Sequence, residues 1–330
     1  MKVLVTGASG FVGSHVIEGL LAAGHGVRGL SRTLPTGARR HEGCEYVDGV
    51  DVGDRSTMSA KMFDGVDAVV HLVGIIQEAG KKQTFRRIHV DGTRNVVDAA
   101  KSSPLTPNNG GTRRFVYMSA IGTEANSPAE YSRTKYEAEQ IVIESGLPYT
   151  IFRPSIILGV DGEFVAQMAE LIKYGGLPIK LPVPVIPVPG SGMNKFQPIY
   201  VDDLVSSVVK SLTDESGPTP SANKTYEIGG ATQVTFNELL SGFARSMGVR
   251  KPMVHAPVPI LRVAAMVMEA VMPKPPVTRD QLANLGRDNT TESRAITEVF
   301  GITPLGFDEM LTRIYGTGQT AAQVQLTRTL

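Results

Sequence analysis

Short apolar runs alternate with stretches of helical periodicity through the first half of the chain, the pattern of a parallel sheet covered on both faces. Strands are predicted at Val3–Thr6, Val27–Ser31, Cys44–Asp48, Ala68–Val73, Arg114–Ser119 and Tyr149–Arg153, with helices between them near Gly13–Ala23, Arg55–Phe63, Thr84–Lys101 and Pro128–Ser145. Crossovers between parallel strands are almost always right-handed, so the six strands are expected in doubly wound order with a ligand crevice at their carboxyl ends. Beyond Arg153 the prolines of Leu177–Gly190 exclude a regular helix and predict an extended segment, either a surface connector or the lead into a lobe over the crevice. Phe196–Val201 and Thr225–Gly229 read as further strands around a helix, Asp203–Leu212. Asp202 is expected to cap that helix, with Asp203 in its first turn. Gly316–Leu330 has little apolar periodicity and is expected to be poorly ordered. The fold class is thus α/β, a doubly wound parallel sheet with a smaller C-terminal α/β lobe. Its divisions are a first domain over residues 1–155, a mixed segment over 156–315 that adds late strands and forms the lobe, and a tail over 316–330.

One segment departs from ordinary amphipathic patterning. Ile260–Met272, closed by Pro273, is a helix candidate charged only at Arg262 and Glu269. So apolar a helix is expected to pack into a core; the alternatives are that it covers a hydrophobic substrate such as a quinone or isoprenoid, or meets a membrane or partner.

Composition narrows the partners. A net charge of +1 in 330 residues gives no electrostatic case for nucleic acid. Cys44 is the only cysteine, so no intrachain disulfide forms, and the six histidines are scattered without metal-site spacing. No signal segment and no uncharged apolar run of about 18 residues is present. The chain is therefore expected in the cytoplasm, with contact at the inner-membrane surface left open.

Candidate chemistry begins at Thr6-Gly7-Ala8-Ser9-Gly10-Phe11-Val12-Gly13, directly after the first strand and before a helix. Such a turn faces backbone N–H groups and the positive helix end outward, and its glycines let a pyrophosphate approach closely. A second constellation lies further along. Ser127-Pro128-Ala129-Glu130 reads as a capping box with proline at the first helical position, which places Tyr131 and Lys135 on one face of the helix it opens. A phenol has a reference pKa of about 10, and a neighbouring ammonium favours the phenolate, which draws it toward acid–base service. Lys135 is also placed to hold the ribose hydroxyls of a dinucleotide. Ser119, at the end of the fifth strand, would donate to a substrate oxygen on which charge develops.

With these residues in view, the chain resembles the short-chain dehydrogenase/reductase superfamily in its extended and atypical branches. The resemblance rests on Thr6–Gly13, on Ser119, Tyr131 and Lys135, and on Arg153-Pro154-Ser155 after the sixth strand. Within it, Ile88–Asn95, Phe196–Asp203 and Pro275–Leu282 are similar to bacterial relatives of the nucleotide-binding accessory subunit of respiratory complex I. The resemblance implies that Gly7, Gly10, Phe11 and Val12 wrap a pyrophosphate and that Asp51 and Val52 flank the adenine. It further implies that Leu72, Val73 and Gly74 line the ribose side and that Pro154 and Ser155 border the nicotinamide. One position departs: His89 stands where the family commonly has an Asn that supports a proton relay, and a structural role is expected for it.

Charge addresses the choice of cofactor. The position about 20 residues past the glycines, where an acid would bind the 2′-hydroxyl of NAD, holds Ser31-Arg32-Thr33. A guanidinium suits a 2′-phosphate, and Arg39 and Arg40 would reinforce it, so NADP(H) is preferred with NAD(H) as the alternative. The leading expectation is an oxidoreductase moving hydride to or from a carbonyl or alcohol carbon. The alternatives are a non-catalytic NADPH-holding assembly protein in contact with a respiratory complex, and a nucleotide-sugar epimerase or dehydratase.

Overall fold

The computed structural model describes residues 1–34, 40–103, 114–176, 180–213, 221–272, 275 and 277–316. Arg39, Pro273, residues 177–179 of the proline-rich run and residues 317–330 of the expected tail lie outside the described residues. The chain forms two compact units, one of Met1–Pro154, Val201–Ile228 and Ser293–Ile302, the other of Ser155–Tyr200, Gly229–Glu292 and the chain from Thr303 on.

The first unit is built on a seven-stranded sheet. Its six leading strands are β1 (Lys2–Thr6), β2 (Gly26–Leu30), β3 (Cys44–Val47), β4 (Ala68–His71), β5 (Arg114–Met118) and β6 (Tyr149–Pro154). The seventh, Lys224–Ile228, joins outside β6, and from there the order runs β6, β5, β4, β1, β2, β3. Every pairing in this sheet is parallel. Parallel strands are covered on both faces, which is why β1, β4 and β5 read as continuous apolar runs and are buried almost throughout. Helices α1 (Phe11–Ala22), α2 (Gly92–Ser102) and α3 (Glu130–Ile143) supply cover, together with the helix Val201–Thr213. Leu4, Phe63, Val69, Phe115, Tyr117, Ala138 and Ile151 meet in one apolar core.

Several local expectations change. Arg55–Phe63 is not one helix but two 3-10 turns, Arg55–Thr57 and Ala60–Phe63. Asp54 and Ser59 each cap the backbone two residues on, at Ser56 and Lys61, and these local bonds outcompete a continuous helix. The catalytic-helix candidate begins at Glu130, with Ala129 at the N-cap and no side-chain cap. Ser127 instead accepts from the Ala129 N–H at 3.3 Å, so the capping box does not form. Asp202 lies inside the first turn of Val201–Thr213 beside Asp203 rather than capping it. The expected strand Phe196–Val201 is two short ones, Lys195–Phe196 and Ile199–Tyr200, on different partners.

In the second unit Ile186–Pro189 pairs in parallel with Met253–Ala256. Prolines at alternate positions leave the N–H groups of Ile186 and Gly190 free to bond Pro252 and Ala256, so an edge strand tolerates them. Phe243 packs edge-on against Phe164, Phe307 and Tyr315. The apolar helix spans Val258–Val271, and the expectation that it packs into a core is wrong: Ala265 is its one buried residue. Ile260 is 64% exposed and Val271 73%, because a helix apolar on nearly every side has more apolar surface than a single contact covers. No helix among the described residues is long and apolar enough to cross a membrane.

Candidate active site

The glycine turn has the geometry that a close backbone approach requires. Gly7 leaves β1 with φ of +74°, a conformation that disfavours a side chain, and Gly10 N–H closes the turn on the Gly7 carbonyl at 2.9 Å. A side chain at Gly13 would collide with that same carbonyl. Helix α1 then starts at Phe11 with Gly10 as its N-cap and no side-chain cap hydrogen bond. The segment after β4 closes one side: a methyl group on Gly7 would meet Val73 at 3.4 Å, and one on Gly74 would meet Lys135 Nζ at 3.0 Å. Such a bare cradle at a positive helix end fits a dinucleotide diphosphate.

Thr6, below the turn, is fully buried and tied to the next strand. Its hydroxyl accepts from Leu72 N–H at 3.3 Å and bonds His71 Nδ1 at 2.6 Å. His71 Nε2 continues to Thr93 Oγ1 at 3.1 Å. Burial, then the charge of Lys135, drives the His71 pKa down to about 3, so the ring is neutral at physiological pH. This row fixes Leu72–Gly74 relative to the glycine turn.

Asp51 and Val52 are pinned after β3. Arg87 grips the Asp51 carboxylate at 2.8 Å, Gly53 N–H donates to it at 3.0 Å, and Asn95 Nδ2 donates to the Val52 carbonyl at 2.8 Å. At the end of β2, Ser31 is buried and Arg32 exposed, and Arg40 lies over the Tyr46 ring at 5.7 Å. The reading that this place lacks a carboxylate needs correction: β3 brings Asp48 alongside, and its carboxylate accepts from the Ser31 hydroxyl at 3.2 Å.

The trio of Ser119, Tyr131 and Lys135 lies within the first unit. Ser119 follows β5, is buried, and its hydroxyl bonds Thr123 Oγ1 at 3.3 Å. Its N–H donates to Phe152 O, and the neighbouring Ile121 N–H donates to Pro154 O, which fastens this loop to β6. Lys135 is 4% exposed and donates to the Met118 carbonyl at 2.8 Å. Desolvation brings its pKa down to about 8, opposed by the Glu139 carboxylate. Tyr131 is half-buried, its ring edge-on to Phe85 and His89 at 5.8 and 5.4 Å.

His89 sits in a π-helical turn, Arg86–Asp91, that runs into α2. Thr134 Oγ1 lies within hydrogen-bond reach of the helix carbonyls of Glu130 and Tyr131 and bonds His89 Nδ1 at 2.9 Å. Nε2 lies 3.1 Å from both the N–H and the carbonyl oxygen of Ile75. Burial and Lys135 hold its pKa well below the usual histidine value. His89 therefore links the segment after β4 to the helix of Tyr131 and Lys135. Pro154 ends β6 in the first unit, whereas Ser155 opens the second, where its hydroxyl donates to Asn289 Oδ1 at 2.6 Å. Sequence reasoning missed His71, Thr93, Arg87, Asn95, Asp48 and Glu139; only Glu139, four positions past Lys135, carried a local signal.

Against known proteins, the model of the NAD dependent epimerase/dehydratase family matches residues 3–229. A mitochondrial NADH dehydrogenase [ubiquinone] 1 alpha subcomplex subunit 9 of Arabidopsis thaliana is 26% identical over 86% of this chain and 68% of that protein. A 2-alkyl-3-oxoalkanoate reductase of Stenotrophomonas maltophilia is 27% identical over 75% and 76%. Among solved structures, an epimerase from Methanothermobacter thermautotrophicus superposes with a TM-score of 0.71 at 17% identity, over 99% of this chain and 94% of that one, which speaks to the fold alone.

Proposed function

The chain belongs to the NAD dependent epimerase/dehydratase family, and from that premise we propose that it is an oxidoreductase interconverting a carbonyl and an alcohol. One observation carries the reading: a buried, desolvated lysine stands four residues after a half-buried tyrosine, beside the segment that borders the glycine cradle. In the direction of reduction the Tyr131 hydroxyl gives its proton to the substrate oxygen, and Ser119 donates a hydrogen bond to that oxygen as charge builds on it. The Lys135 ammonium stabilises the phenolate that remains. When bound, the nicotinamide supplies the hydride to carbon or takes it back. Gly7, Gly10, Phe11, Val12 and Gly13 would hold the diphosphate, with Thr6 bracing the turn from below rather than touching it, Asp51 and Val52 would hold the adenine, and Leu72, Val73, Gly74 and Lys135 the ribose side. Pro154 and Ser155 would border the nicotinamide.

NADP(H) is the proposed form. Arg32, exposed just after β2, and Arg40, over the Tyr46 ring, are guanidiniums of the kind that suits a 2′-phosphate. An apolar substrate is favoured by the similarity to a reductase whose name specifies a 2-alkyl-3-oxoalkanoate. The test is Tyr131→Phe. Consumption of NADPH in the presence of such 3-oxo compounds is expected to fall by about 10²–10⁴-fold, with NADPH affinity retained. Equal consumption by both proteins would reject the assignment.

A second reading is supported by a separate observation. The exposed apolar helix Val258–Val271, together with the similarity to a respiratory-complex subunit, favours a protein that holds NADPH and docks on a larger assembly. NADPH that stays bound and unreactive toward every carbonyl offered would support it.

A further inference from the structure

Glu139 follows Lys135 by four positions on α3, so the two side chains leave the same face of the helix, and both are buried, at 1% and 4% exposure. At that spacing a carboxylate is the natural ion-pair partner of a lysine. Here it is engaged elsewhere. Arg153 on β6 takes both oxygens, Nε to Oε1 at 2.8 Å and Nη2 to Oε2 at 2.6 Å, while Lys135 Nζ donates to the Met118 carbonyl at 2.8 Å. The planar guanidinium matches a carboxylate in this two-pronged way, which a lysine cannot do.

Resting on the reading of Lys135 as part of the catalytic set, we propose that Arg153 is a positioning residue. By occupying both oxygens of Glu139 it withholds that carboxylate from Lys135 and leaves the ammonium on the Met118 carbonyl, beside Gly74. The groups that face Lys135 make Glu139 the decisive one. From β4 comes His71 and from the π-helical turn His89, both neutral; from β5 comes Tyr117, whose phenol burial keeps protonated. On α3 itself stand Tyr131 and Glu139, and behind Glu139 lie Arg153 and, 4.0 Å from it, the Glu227 carboxylate. Of these, Glu139 is the carboxylate that opposes the desolvation of Lys135.

The experiment is a pH titration of the Lys135 ¹³Cε signal by NMR in the full chain, with the resonance assigned by its loss in Lys135→Met. Arg153→Met frees the carboxylate to capture the ammonium and is expected to raise the Lys135 midpoint by about one unit. Glu139→Gln removes the negative charge and is expected to lower it. The double variant is expected to return it toward the parent value. A purely structural pair would behave differently: either single change would loosen α3, hydrate Lys135 and move both midpoints upward together. An unchanged or raised midpoint in Glu139→Gln overturns the proposal, even if Arg153→Met does not fold. The titration needs no substrate, so the two readings fail separately: turnover indifferent to Lys135→Met would remove the catalytic role and leave the opposite shifts standing.

Discussion

Behind α3 the first unit buries a lysine, a glutamate and two histidines among apolar strands, whereas the helix Val258–Val271 of the second unit turns isoleucine, valine and methionine side chains to solvent. Both regions run against the transfer free energies of their side chains, in opposite senses. The buried set is almost completely bonded: Lys135 to Met118, Glu139 to Arg153, His71 to Thr6 and Thr93, His89 to Thr134 and Ile75. These bonds meet only part of the cost, since desolvation still brings the Lys135 pKa down to about 8. Among the described residues the exposed helix buries only Ala265 and is tied by Glu269 to Arg279. On the reading proposed above, chemistry belongs to the first region and contact to the second, since departures from local preference concentrate where function requires them.

Lys135→Met is the change with the largest expected effect on this contrast. Turnover is expected to fall about 10³-fold, while the folded chain becomes more stable at pH 7 by about 2 kcal/mol, relief from burying a charge less one lost hydrogen bond. The pKa of about 8 in the fold lies below the ordinary lysine value of 10.5, so between them the unfolded chain holds a proton that the folded chain has released. Stability due to this residue therefore rises from pH 8 to 10.5 in the parent, and the gap to the variant closes over that range. Urea denaturation at pH 7 and pH 10 measures both. A variant less stable at both pH values would show that the lysine is held by favourable packing instead.

His71→Gln comes next. With a folded pKa near 3 against 6.5, the unfolded chain takes up the proton as pH falls below about 6.5, so this residue's share of stability is full above that value and is lost toward pH 3. Replacing it is expected to flatten the loss between pH 6.5 and 5 by about 2 kcal/mol, read from thermal midpoints across that interval. An unchanged slope would mean that the ring is charged or solvated.

These buried partners were the part that the sequence did not announce. The glycine turn, Ser119, Tyr131 and Lys135 were legible because each depends on local order: a strand that stops, a turn that needs glycine, two side chains one helical turn apart. The parallel sheet was legible from its apolar runs. Asp48 beside Ser31 was not, since it requires the pairing of β2 with β3, and Arg153 with Glu139 requires the packing of α3 on β6. Arg55–Phe63 misled because Asp54 and Ser59 bond their own backbone. The composition of Ile260–Met272 gave its hydrophobicity but nothing of what covers it.

The smallest expected effect lies on that helix. Serine at Ile260, Val263 or Val267 is expected to shift stability by no more than about 0.5 kcal/mol each, where a core position would lose about 2–5 kcal/mol. Thermal denaturation of the single variants measures this, and a core-sized loss would erase the contrast between the two regions.

The account turns on the glycine cradle holding a nicotinamide dinucleotide, and calorimetric titration of the purified chain with NADPH and with NADH tests this most directly. Saturable binding of both is expected, tighter for NADPH, with the preference lost in Arg32→Ala. Absence of heat with either dinucleotide, at concentrations that saturate a millimolar site, would contradict it.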